Sequence, residues 1–267
     1  MDVLHRNHVT VRGRGPVSLV FAHGFGCDQN MWRLLAPRYA ARFQTVTFDH
    51  VGSGKSDLTA YDRDKYQSLE GYAADVLEIV DQVAVGPVIF VGHSVSAMIG
   101  MLAGLKSPER FAGHIMVGPS PCYINDADYV GGFSREDIDS LLETLESNYL
   151  GWSASTAPAI MGAPDQPALA EELTASFCRT DPEIAKQFAR VTFTADNRAD
   201  LSKLVAPVLV LQSSNDFIAP LAVGEYMRDH LPNAMLRVVE NNGHCPHLSA
   251  PGASASAMDE FIASIGV

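Results

Sequence analysis

Short apolar runs of strand length recur along the 267-residue chain, and turn residues and helical patterns separate them. Continuous apolar or β-branched runs are typical of strands buried on both faces of a parallel sheet. Between them, residues 68–83 place their apolar side chains on one stripe, and residues 94–105 form a small-residue apolar helix directly after a strand. This alternation predicts an α/β fold with a mostly parallel, doubly wound sheet. The predicted strands are 17–23, 44–49, 88–93, 114–118, 208–212 and 235–240.

The strand pattern is interrupted from about residue 119 to residue 195. This stretch carries helical patterns at 134–149, 166–178 and 182–193, which predict an all-helical insertion of the size of a lid. A strand, a helix and another strand follow, and Pro251 begins the last helix, over 253–265. We therefore expect a core domain in two parts, 1–120 and 196–267, with a lid at 121–195.

Composition and charge exclude several classes of protein. The chain has 19 Lys and Arg against 31 Asp and Glu, a net charge of −12, which argues against a nucleic-acid partner. The apolar runs are too short to span a membrane, and the charged N-terminal residues do not resemble a secretory signal, so we expect a cytoplasmic protein with no membrane partner. The four cysteines are widely spaced, which suggests neither a disulfide framework nor a zinc ribbon.

Residues 92–96 read Gly-His-Ser-Val-Ser where a buried strand turns into a helix. This is the pattern of a nucleophile elbow, a strained turn that exposes the oxygen of Ser94 above the sheet. Small residues two before and two after the serine let the strand and the helix approach closely. Ser96 departs from the usual glycine at the last position.

A serine nucleophile needs a base and an orienting acid, which this kind of fold supplies in the order Ser, Asp, His. Asp216 follows the predicted strand 208–212, and His244 follows the predicted strand 235–240. All three residues therefore fall at the carboxyl ends of strands, where open α/β sheets form their sites. His247 is a competing base, but we expect it to pack or to cap the last helix, and we expect His93 to be structural.

A tetrahedral intermediate also requires hydrogen-bond donors for its oxyanion. The residue after the nucleophile supplies one backbone N–H, here that of Val95. The loop after the strand 17–23 supplies the second, here that of Phe25, which lies between Gly24 and Gly26.

We expect no cofactor and no metal. The run 52–56 ends like a phosphate-binding loop, but Asp49 stands where that motif requires its first glycine. The run 24–26 begins like a dinucleotide fingerprint, but Gln29 stands at the third glycine position. His244, Cys245 and His247 are metal-ligating types, yet Pro246 would break a helix that aligned them.

The motifs at 49–57, 92–100, 117–123, 131–133 and 243–247 resemble the α/β-hydrolase superfamily, and within it the RsbQ-like group. That group contains a bacterial stress-response regulator and the plant karrikin and strigolactone receptors. In having a serine at position 96, the chain resembles the plant receptors. The resemblance implies an α/β-hydrolase fold with a lid of four helices over a deep apolar pocket. It further implies a pocket lined by Phe25 and by Tyr123, Phe133, Trp152, Phe193 and Phe217. We expect Phe177 and Phe188 only to hold the lid helices together.

These observations predict a serine hydrolase that cleaves small apolar esters or lactones through Ser94, His244 and Asp216. Two alternatives remain open. The chain could be a ligand-sensing signalling protein that hydrolyses slowly and recruits a protein partner, as the resemblance allows. The same three residues also serve hydrolysis of carbon–carbon bonds.

Overall fold

A computed structural model describes residues 2–267 and contains one seven-stranded sheet. The strands lie in the order β1-β3-β2-β4-β5-β6-β7, and every neighbouring pair is parallel except β1 and β3. The strands are β1 Thr10–Arg12, β2 Ser18–Ala22, β3 Gln44–Phe48, β4 Val88–His93, β5 Phe111–Val117, β6 Val208–Asn215 and β7 Ala234–Asn242.

Helices cover both faces of the sheet, which confirms the predicted α/β fold with a mostly parallel, doubly wound sheet. The helices are α1 Val3–Arg6, α2 Ala36–Tyr39, α3 Leu69–Val83, α4 Val95–Lys106, α5 Arg135–Ser147, α6 Tyr149–Met161, α7 Pro167–Arg179, α8 Pro182–Thr194, α9 Leu221–His230, α10 Pro246–Ser249 and α11 Pro251–Ile265. Short 3-10 helices lie at Gln29–Trp32, Leu58–Ala60, Lys65–Gln67, Pro108–Arg110 and Arg198–Lys203. Within residues 2–267, no helix combines the length and the apolar character needed to cross a membrane.

Burial explains why the central strands could be recognised. All residues of β2 and β4 are buried, because helices cover both faces of the sheet at these strands. In contrast, β1 has three residues, lies at the edge and has two exposed positions, so it lacks the apolar run that marked the others.

The connection between β5 and β6 contains the helices α5 to α8. A capping box begins α5, in which Ser134 and Asp137 each accept a hydrogen bond from the other's backbone N–H. Helix α6 was not among the predicted helical patterns, and it carries Pro158 in its interior. These four helices lie within the range predicted for the lid, and the division of the chain into core and lid stays a prediction.

Burial lowers the pKa of five interior histidines below its usual value. The effect is clearest for His114, whose ring stacks on Phe111 and whose nitrogens have no hydrogen-bond partner. Burial alone lowers the pKa of His114 to about 4. The other four are His23, His50, His93 and His247.

We expect this burial to make the fold sensitive to acid. The unfolded chain takes up a proton at His114 near pH 6.5, whereas the folded chain does so only near pH 4, so stability is lost as pH falls through this window. The loss from His114 at pH 5 is about 2 kcal/mol. Between pH 7 and pH 5, the free energy of unfolding should fall in both the wild type and His114→Leu. The fall should be smaller in His114→Leu, by about 2 kcal/mol, as measured by urea titration at the two pH values.

Phe111→Leu is the matched control, because it changes the stacked ring without removing a titrating group. It should lower stability equally at both pH values. Identical pH dependence in the wild type and His114→Leu would contradict the prediction.

Candidate functional site

Ser94 lies on a strained turn between β4 and α4, with φ of 56° and ψ of −125°. A non-glycine residue with positive φ is uncommon and costs about 1–3 kcal/mol, so surrounding packing must hold it in place. The close approach of strand and helix explains the nearby glycine, because a Cβ at Gly92 would lie 2.5 Å from the carbonyl oxygen of Ser96. This local geometry is that of a nucleophile elbow.

The structure brings Ser94, His244 and Asp216 into one chain of hydrogen bonds. Ser94 Oγ lies 2.8 Å from His244 Nε2, and His244 Nδ1 lies 2.6 Å from Asp216 Oδ2. The three side chains come from the ends of β4, β7 and β6, and all three residues are buried. Distances of this length allow a proton to pass from the serine to the imidazole while the carboxylate holds the opposite nitrogen.

Backbone donors fix the orientation of the Asp216 carboxylate. Its Oδ1 accepts hydrogen bonds from the N–H groups of Ile218, at 2.9 Å, and Ala219, at 3.2 Å. Its Oδ2 is therefore left to face His244, which places the imidazole proton on Nδ1. The tautomer that results leaves Nε2 free to accept a proton from Ser94.

The two backbone amides predicted for an oxyanion hole belong to segments next to the serine: Val95 follows it, and a Cβ at Gly24, the residue before Phe25, would lie 3.3 Å from Ser94 Cβ. Val95 is the first residue of α4, so its N–H has no acceptor within the helix. Among the hydrogen bonds of residues 2–267, none uses the N–H of Phe25. Both donors are thus available to a ligand.

An apolar cavity of about 60 Å³ lies over Ser94 and His244. Its volume is small for an enzyme pocket, which fits a small substrate. All the predicted lining residues reach it, namely Phe25, Tyr123, Phe133, Trp152, Phe193 and Phe217.

The prediction for Phe177 was wrong, because its ring lines the cavity and stacks parallel to Trp152 with centroids 5.8 Å apart. Phe188, on α8, instead stacks on Tyr72 of α3 and does not line the cavity. Sequence reasoning also missed nine other lining residues, namely Cys27, His93, Leu141, Thr156, Ile160, Leu173, Thr192, Ile218 and Cys245. Apolar periodicity identifies the buried face of a helix but not the part of that face left uncovered.

Few polar atoms face this cavity besides those of Ser94 and His244. The hydroxyl of Tyr123 lies 3.3 Å from Ser94 Oγ, and burial raises the pKa of Tyr123 to about 12, so it stays a donor. Thr192 Oγ1 is buried without a hydrogen-bond partner.

Phe25 links this site to the helices between β5 and β6. Its ring lies 5.8 to 6.2 Å, between centroids, from four aromatic rings of those helices. Such edge-on and tilted arrangements are favourable contacts between aromatic rings. The four partners are Trp152, Phe177, Phe188 and Phe193.

Three buried residues behind His244 are of metal-ligating types: His93, Cys245 and His247, with ligand atoms within 4.8 Å of one another. His93 Nε2, however, lies 2.9 Å from the carbonyl oxygen of His244, to which it donates. The His247 ring packs between His93 and Trp32, at 4.5 and 4.7 Å between centroids. These contacts support the backbone of His244, as packed aromatic clusters do.

Comparison with known proteins agrees with this geometry. Residues 19–257 match the model of the alpha/beta hydrolase family. The chain is 37% identical to the karrikin insensitive 2 receptor CA of Petunia hybrida, over 94% of both chains. It is 36% identical to a strigolactone esterase of Arabidopsis thaliana, over 95% of both chains.

A solved structure is also closely similar. A hydrolase from Oleispira antarctica superposes with a TM-score of 0.94 at 42% identity, covering 98% of this chain and 96% of that one. The predicted resemblance to the RsbQ-like group is confirmed by these relatives. The chain belongs to the alpha/beta hydrolase family, in the group that contains the karrikin and strigolactone receptors.

Proposed function

We propose that the protein is a serine esterase or lactonase that cleaves small apolar esters through an acyl-enzyme. One observation carries the proposal: the buried hydrogen-bonded chain of Ser94, His244 and Asp216 ends in an apolar cavity. Nucleophile, base and orienting acid are thus aligned where a substrate carbonyl would lie.

The geometry supports the following sequence of steps. Ser94 Oγ attacks the carbonyl carbon while His244 Nε2 accepts its proton, and Asp216 stabilises the imidazolium. The amides of Phe25 and Val95 stabilise the oxyanion. The imidazolium then protonates the leaving alkoxide, and a water molecule activated by His244 releases the acid and regenerates Ser94.

The cavity supports a restricted class of substrate. Its small volume and aromatic lining favour short acyl groups or compact lactones over long chains. The hydroxyl of Tyr123 favours substrates with an oxygen beside the reacting carbonyl, as esters and lactones have. Several relatives are named as esterases, among them a strigolactone esterase and, at 27% identity, a pimeloyl-acyl-carrier-protein methyl ester esterase.

Hydrolysis of p-nitrophenyl esters of increasing acyl length tests the proposal. We expect multiple turnovers with acetate and butyrate, and a fall in kcat/KM of about tenfold or more by decanoate, because the cavity is small. Thr156→Ala, which enlarges the cavity without touching the three reacting side chains, should shift the preference to longer acyl groups. No turnover of any ester by the folded wild type would overturn the proposal.

A second candidate function is that of a ligand receptor with slow hydrolysis, which recruits a signalling partner. It is favoured by the 37% identity to a protein named as a karrikin receptor. We expect such a protein to turn over far less than once per minute, to retain a ligand-derived mass on the chain and to change its Tm with ligand. Rapid turnover without a persistent adduct would exclude this candidate.

A further inference from the structure

Ser96 stands where a nucleophile elbow usually has glycine, and a hydrogen bond fixes the orientation of its hydroxyl. Ser96 is fully buried, and its Oγ donates to the carbonyl oxygen of His23 at 2.5 Å. This hydrogen bond ties the first turn of α4 to the loop that follows β2. The extra side chain therefore joins two segments that both border the predicted oxyanion hole.

His50 completes this connection from the end of β3. Its Nε2 lies 2.8 Å from Ser96 Oγ, and because the Ser96 proton goes to the His23 carbonyl, Nε2–H must be the donor. The backbone N–H of His50 donates to His23 Nε2 at 3.1 Å. The proton of the neutral His23 ring is then on Nδ1, which lies 2.8 Å from the carbonyl oxygen of Gly24.

The Gly24 carbonyl and the Phe25 N–H belong to the same peptide unit. A trans peptide is planar, so fixing the direction of its C=O also fixes the opposite direction of its N–H. The Gly24 oxygen accepts from the His23 ring and, at 3.3 Å, from the N–H of Cys27. The hydrogen bonds from Ser96 through His50 and His23 thus end on the peptide that presents the Phe25 amide.

We propose that Ser96, with His50 and His23, positions the Phe25 amide as an oxyanion donor. The proposal rests on the proposed serine-hydrolase function and adds to it three positioning residues. None of the three lines the cavity, so their effect on the reaction passes through the backbone of Gly24 and Phe25. The position of such a donor matters for the rate, because removing one donor reduces kcat by about 10²–10³-fold in a well-studied hydrolase.

The first test is Ser96→Ala, with acetate ester hydrolysis as the readout. We expect kcat to fall about 10- to 100-fold with little change in KM, because the oxyanion donor matters in the transition state and not in ground-state binding. The affinity of phenylboronic acid should fall by a similar factor. In that adduct Ser94 Oγ bonds to boron as its proton passes to His244, and a boronate oxygen occupies the position of the oxyanion.

Ser18→Ala is the matched control. Ser18 is also a fully buried serine, and its Oγ lies within hydrogen-bond distance of two acceptors, Gln44 Oε1 and the carbonyl oxygen of Val85, but it lies at the opposite end of β2. It should lower Tm without changing kcat or boronate affinity. If Ser96→Ala behaves in the same way, its hydroxyl is merely structural and the proposal is overturned.

If Ser96→Ala does not fold, a second pair of variants tests whether these hydrogen bonds position the Phe25 amide. His50→Gln keeps an N–H donor near the position of Nε2 and should retain most of kcat, whereas His50→Leu removes it and should lower kcat and boronate affinity together. Equal kcat in the two variants would overturn the proposal. Failure of the wild type itself to hydrolyse esters or to bind the boronate would instead refute the proposed function.

Discussion

Replacing Ser94 with alanine should lower kcat for ester hydrolysis by at least about 10⁴-fold, because no other hydroxyl can replace it between His244 and the substrate. The other hydroxyl nearby, that of Tyr123, lies 3.3 Å from Ser94 Oγ and keeps its proton because burial raises its pKa to about 12. Hydrolysis of p-nitrophenyl acetate and the burst of released nitrophenol measure the change.

The fold provides an internal control for this substitution. Alanine and serine meet similar strain at the φ of 56°, so Ser94→Ala should unfold near the wild-type Tm. Ser94→Gly relieves the strain and should be more stable than Ser94→Ala by about 1 kcal/mol, and equally inactive. Activity within tenfold of the wild type in both folded variants would mean that another group is the nucleophile.

Replacing Asp216 with asparagine should lower kcat by about 10⁴-fold without loss of the fold. The N–H groups of Ile218 and Ala219 both donate to Oδ1, so they will hold the amide oxygen of the asparagine in that position. The amide NH₂ then faces Nδ1 of His244 and donates to it, so the proton of the His244 ring must lie on Nε2. In that tautomer His244 cannot accept the proton of Ser94.

Asp57→Asn is a suitable control, because Asp57 also accepts a backbone hydrogen bond, from Thr59 at 2.9 Å, but lies outside the cavity lining. It should leave kcat unchanged. A loss of less than tenfold in Asp216→Asn would show that another residue orients His244, and a crystal structure of the variant would reveal the amide orientation.

The extent to which the sequence predicts this fold depends on burial. The strands β2 and β4 were predictable because all their residues except His93 are apolar or small, and all of them are buried. The edge strand β1 was not predictable, because three residues with two exposed positions carry no such pattern. Helix α6 escaped detection because small residues and Pro158 weaken its amphipathic periodicity.

In the candidate site, the sequence predicted which residues meet better than it predicted where side chains point. The order of Ser94, Asp216 and His244 after successive strands was sufficient to predict that they meet. The sequence did not predict that Phe177 faces the cavity, because this depends on how α6 and α7 pack together. Likewise the sequence marked Ser96 as unusual, but only coordinates show its hydroxyl on the His23 carbonyl.

The contacts of Phe25 have a consequence for how the protein would discriminate between ligands. The same residue offers its backbone N–H to the reacting oxygen and its ring to four aromatic side chains of α6, α7 and α8. A bulky ligand that pushes those helices outward removes the packing that holds this ring and thus loosens the amide of the same residue. Oversized esters would then bind yet react slowly, so that the helices select substrates through the rate of reaction as well as through affinity.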